Sequence, residues 1–120
     1  MRLVPIALAL LATTATAADR RAPPVATAIG EPVACIPLTR IRQTLVRDDR
    51  TIDWILSGRK TYRTVLRNGC PGLGFEQRFS YQTSLSQLCS TDIITVLYQT
   101  GPQRGASCGL APFQPVTLAR

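Results

Sequence analysis

Apolar and polar residues alternate with a period of two through most of the chain between Cys35 and Val116, which predicts short β-strands. Ile41 to Arg47 is β-rich, Asp48-Asp49-Arg50 turns the chain, and Thr51 to Leu56 follows with Ile52, Trp54 and Leu56 on one face. Ser57-Gly58 punctuates before the β-branched and aromatic run Thr61 to Leu66, and Asn68 to Gly74 holds too much glycine and proline for anything but a loop. Alternation is clearest from Phe75 to Gln82, where Phe75, Gln77, Phe79 and Tyr81 share a face. Ser84 to Ser90 has room for a single helical turn. Asp92 to Tyr98 reads as a central strand, Gly101 to Gly109 as loop, and Phe113 to Leu118 as a last edge strand. Together these elements predict an all-β domain: a small curled antiparallel sheet or partly open barrel of about five to six short strands, stapled by disulfides. No helix of normal length is predicted.

The N-terminus has a different pattern. Met1-Arg2 is a short basic start, Leu3 to Ala12 an apolar run, and Ala15-Thr16-Ala17 a small-x-small cleavage site, so residues 1–17 read as an export signal. The apolar run is shorter than the ~20 residues that span a bilayer. No cysteine stands near it for lipidation, and no later stretch is apolar enough for a membrane helix. A soluble mature product beginning at Ala18 or Asp19 is expected, periplasmic or secreted. Residues 18–34 are rich in proline and alanine without periodicity and read as a flexible lead-in, leaving residues 35–118 as a single small β domain.

The exported chain has four cysteines and no histidine. Absence of histidine removes the commonest general base and the commonest metal ligand. Cys35, Cys70, Cys89 and Cys108 allow three pairings, among which sequence alone does not choose. The favoured pairs are Cys70–Cys89, joining the glycine-rich loop to the turn before the central strand, and Cys35–Cys108, clasping the ends of the domain. There is no C-x-x-C for thiol exchange and no pair of closely spaced cysteines for a zinc knuckle. Structural disulfides are expected, with no metal and no cofactor.

Two catalytic patterns occur and neither has its chemistry. Gly105-Ala-Ser-Cys-Gly109 fits the nucleophile elbow, but the chain offers no histidine and no following helix. Ser57-Gly-Arg-Lys60 fits S-x-x-K, yet it reads as a hairpin turn among arginines, where a lysine is expected to be solvated and charged. The glycines of Pro71-Gly-Leu-Gly-Phe75 lack the flanking strand and helix of a dinucleotide fingerprint. Asp48-Asp49 suits a turn, and Asp53 and Glu76 suit solvent-facing strand positions. Asp92 suits either burial against an arginine or a cap on the preceding turn. No catalytic residue is assigned.

Charge adds one candidate surface. The formal net charge is +7, falling to +6 once Arg2 leaves with the signal, and Lys60 is the one lysine among arginines. An arginine-rich, lysine-poor, alanine-rich composition also follows from GC-rich coding, so the excess is functional only if it is organised. Arg59, Lys60, Tyr62, Arg63 and Arg67 are the candidate binding residues. Strand parity puts Arg59, Arg63 and Arg67 on one face and Tyr62 on the other. A basic ridge suits an acidic ligand; an arginine-rich edge that blocks aggregation is the plainer alternative. Nucleic acid is disfavoured as a partner by the export address.

Cys35, Ile41-Arg42, the Asp48 to Ile52 turn, Tyr62-Arg63, Leu66, Cys70 to Leu73, Phe79-Ser-Tyr81, Leu88-Cys89 and Asp92 to Ile94 resemble a family of small exported proteobacterial proteins known as a domain of unknown function. The resemblance implies a periplasmic, disulfide-containing domain and no particular chemistry. The expected function is therefore non-enzymatic binding of an envelope component or an exported partner. The alternatives are an inhibitor of a periplasmic or extracellular hydrolase, and a small serine/lysine or carboxylate hydrolase.

Overall fold

A computed structural model describes residues 22–83, 85–100 and 103–119, together with Leu3 and Pro5. The expected signal segment and cleavage site therefore lie outside the described residues, apart from those two positions. Among the described residues, ten antiparallel strands form three sheets: β1 (Ala26–Ala28), β2 (Cys35–Pro37), β3 (Ile41–Val46), β4 (Thr51–Leu56), β5 (Lys60–Val65), β6 (Phe79–Tyr81), β7 (Gln87–Cys89), β8 (Ile93–Leu97), β9 (Arg104–Gly109) and β10 (Gln114–Leu118). The principal sheet runs β1-β10-β5-β4-β3; β6-β8-β9 and β2-β7 are the smaller sheets, and none closes into a barrel. One four-residue helical turn, α1 (Leu73–Glu76), and a 3-10 turn at Leu38–Arg40 complete the regular structure of the described residues. Among the described residues, no helix is long and apolar enough to cross a membrane.

The alternation in β4 builds the core. Ile52, Trp54 and Leu56 are buried on the face where Trp54 stands opposite Tyr62 and Ile52 opposite Thr64. They join Ile36, Leu88, Ile94, Val96 and Phe113 in one cluster drawn from all three sheets. Trp54 meets Phe79 and Phe113 edge-to-face, each at a centroid distance of 5.7 Å, an arrangement that sets ring edges against electron-rich faces. Its indole N–H donates to Thr64 Oγ1 at 3.1 Å, so the largest core side chain leaves no polar atom unpaired.

Both disulfides differ from the favoured pairs: they are Cys35–Cys89 and Cys70–Cys108. Pairing of β2 with β7 sets Cys35 directly opposite Cys89. Pairing of β8 with β9 sets Cys108 beside Ile94, on the core side where Cys70 is fully buried. The two bonds join cysteines 54 and 38 residues apart, which local sequence does not reveal.

Other differences have local causes. The segment expected as a lead-in supplies β1, which pairs with β10 from Ala26–Leu118 to Ala28–Val116. Arg104–Gly109 is a strand rather than a loop, while Gly101 and Pro102 of that stretch lie outside the described residues. Gln87–Cys89 is a strand rather than a helical turn, and Ser84 lies outside the described residues. The Phe75–Gln82 alternation yields strand only at β6. Asp49 accepts the Gly74 amide at 2.8 Å through Oδ1 and the Cys70 amide at 2.8 Å through its carbonyl. Gly72 takes a φ of 84°, open to it without a Cβ. Chain direction is thereby set for α1, and Phe75 turns outward, 84% exposed.

Candidate functional site

Every carboxylate between β3 and β9 serves as a structural acceptor. Asp48 Oδ1 takes the amides of Arg50 and Thr51, each at 2.8 Å, closing the β3–β4 turn. Asp49 anchors α1 as described. Glu76, expected toward solvent, is buried; its Oε2 accepts the Gln99 amide and its carbonyl accepts the Gln99 side chain. Asp92 caps the turn after β7 by accepting the Cys89 amide at 2.7 Å.

Asp53, also expected toward solvent, is wholly buried on the face of the principal sheet opposite Trp54. Arg47 Nε approaches its Oδ2 at 2.8 Å and Arg63 Nε its Oδ1 at 2.7 Å. These are charge-assisted bonds, which a buried carboxylate requires if it is to stay ionised. Both guanidinium groups are largely covered, with side chains 24% and 13% exposed.

The five residues of the expected basic ridge fall into different settings. Arg63 is committed to Asp53. Tyr62 lies half-buried against the core cluster. Arg59 is exposed in the β4–β5 turn, where Gly58 and Arg59 have φ values of 80° and 62°, the positive-φ pair that matches hairpin twist. Lys60 is exposed at the start of β5, and Arg67 is exposed beyond its far end, roughly 20 Å away along an extended chain. Arg59 and Lys60 thus stay together and Arg67 is apart.

Register gives Arg59 and Lys60 different companions. Leu56 pairs with Lys60 on one side and Ile41 on the other, and the Ser57 amide donates to the Arg40 carbonyl at 2.9 Å. The irregularity between Ile41 and Gln43 puts Arg42 beside them as a bulged, exposed residue. Arg40, Arg42, Arg59 and Lys60 are therefore exposed at one end of the principal sheet, in segments that contain no carboxylate. Among the described residues only Arg47 and Arg63 pair with a carboxylate, so the charge at this end is uncompensated. Sequence reasoning missed Arg40 and Arg42 because only the β3–β4 register brings them beside the hairpin tip.

Neither catalytic pattern acquires catalytic geometry. Ser107 is exposed on β9 with its hydroxyl 2.9 Å from that of Thr95, and no helix follows. Ser57 and Lys60 flank the hairpin turn with Lys60 exposed. Comparison with protein-family models, with curated proteins and with solved structures gives no match to this chain.

Proposed function

We propose that the protein is an exported, non-enzymatic binding module of the periplasm or cell exterior, and that its cationic end, Arg40, Arg42, Arg59 and Lys60, takes an acidic envelope component. One observation carries this reading. Carboxylates from β3 to β9 are spent on turns, caps and a buried ion cluster, while these four cations share one exposed end. A field of one sign raises the local concentration of the opposite charge and steers its approach. The export-like N-terminus, the two disulfides and the resemblance to small exported proteins support the address.

Co-sedimentation with phosphatidylglycerol vesicles and with lipopolysaccharide tests the reading. Binding at low salt that collapses near ~0.1 M, where the screening length is about 10 Å, is expected. Equal binding to phosphatidylcholine vesicles would remove the electrostatic basis.

An inhibitor of an exported hydrolase is the second reading, favoured by Phe75. The loop before it is held by the Cys70–Cys108 bond and by Asp49, so an 84%-exposed aromatic is displayed on a fixed base. Interface anchors are commonly of this kind. Salt-insensitive binding to one exported hydrolase, lost in Phe75→Ala, would favour it over the cationic end.

A further inference from the structure

The Gly105 to Gly109 segment, inert as a nucleophile elbow, forms the free edge of the β6-β8-β9 sheet. The Leu110 amide donates to the Asp92 carbonyl at 2.9 Å, which fixes the ladder phase. Antiparallel pairing alternates bonded and non-bonded pairs, so Cys108 is bonded to Ile94 whereas Ser107 and Gly109 turn their N–H and C=O groups away from β8. Both residues are exposed, and among the described residues no backbone group bonds to theirs on the outer side. A Cβ built on Gly109 meets nothing within 4 Å, so the backbone there is openly accessible.

A cleft of about 430 Å³ runs along this edge, between Arg67, Asn68, Gly69 and Pro71 on one wall and Ala106 to Leu110 on the other. The Cys70–Cys108 disulfide ties the two walls together covalently. A groove held in shape before binding loses little freedom when occupied.

We propose that this edge binds an extended acidic peptide of an exported partner, which adds as a strand beside Ser107 and Gly109. Unpaired edge groups supply main-chain hydrogen bonds for strand addition. Charge selects the occupant: Arg67 stands in the cleft wall and Arg104 at the start of β9, and no carboxylate lines the cleft. A second copy would bring the same cations and no carboxylate from its own cleft, and charged side chains at a sheet edge are a recognised defence against self-pairing. The proposal uses different residues from the cationic end and stands independently of it.

The test is amide exchange followed by NMR, with synthetic peptides alternating glutamate and valine as the probe. In the free protein the Ser107 and Gly109 amides exchange quickly, and with peptide they slow by at least about tenfold. Ser107→Pro removes one outward N–H and the exposed hydroxyl contact with Thr95 but no backbone bond to β8, and it abolishes the protection of Gly109. Arg67→Glu with Arg104→Glu, both at exposed positions, weakens peptide binding at least about tenfold if Ser107→Pro fails to fold. The proposal is overturned if no peptide binds at millimolar concentration, or if protection falls on Arg40, Arg59 and Lys60 instead. Protection of the same two amides that grows with protein concentration alone would assign the edge to a second copy and overturn it equally.

Discussion

Arg63 grips Asp53 across β4 and β5 with two bonds, Nε to Oδ1 at 2.7 Å and Nη2 to Oδ2 at 3.0 Å, while Arg47 takes Oδ2 from the other side. A side chain that parity alone assigns to a basic ligand surface is thus part of the fold. Asp53→Asn removes the charge that both guanidinium groups enclose, and breaking a buried ion cluster from one side costs about 3 to 5 kcal/mol. Urea unfolding should show a loss of that order. A loss under about 1 kcal/mol would mean that the cluster is as weak as a surface pair.

Trp54 is the only tryptophan and is fully buried, so its fluorescence reports the core directly. Thr64→Val keeps the side-chain shape but deletes the acceptor of the indole N–H. Leaving that donor unpaired should cost about 1 to 3 kcal/mol. Tryptophan emission should remain shielded from acrylamide until the protein unfolds. Ready quenching of the native variant would instead mean that the core had opened.

The disulfides should differ in their response to reductant. Cys35 and Cys89 are half-buried, whereas Cys70 is fully buried. Peptide mapping without reductant should recover Cys35–Cys89 and Cys70–Cys108 and neither alternative pairing. Under graded reductant with the fold intact, Cys35–Cys89 should open first. Cys70→Ser with Cys108→Ser should lower stability by about 2 to 4 kcal/mol. Recovery of a Cys70–Cys89 peptide would overturn the topology of both small sheets.

What the sequence revealed was what neighbouring residues decide. The β4–β5 hairpin follows from Ile52-x-Trp54-x-Leu56, the Gly58 turn and the β-branched run after it, all local signals. The all-β class and its antiparallel, disulfide-stapled build were legible for the same reason. Cysteine pairing was hidden because it depends on β2 finding β7 and on Cys70 meeting Cys108 of the β8–β9 pair, across 54 and 38 residues of sequence. Strand β9 was hidden because Gly105, Ser107 and Gly109 give it little strand propensity; its ladder to β8 and the Cys70 bond hold it instead. Phe75 was misplaced because its alternation matches a strand, while Asp49, distant in sequence, bends the chain into α1. The cationic end joins residues of two strands and a turn, so no single window of sequence contains it.

Charge reversal at that end is the most direct test of function. Arg40→Glu with Arg59→Glu should be compared with Arg67→Glu and Arg78→Glu, which change net charge equally at exposed positions elsewhere. Each basic residue near an anionic bilayer contributes about 1 kcal/mol. Affinity for phosphatidylglycerol vesicles at low salt should therefore fall at least about tenfold in the first variant, with its melting temperature unchanged, and much less in the second. Equal losses in the two would show that net charge alone drives binding and would contradict a site at the β4–β5 end of the principal sheet.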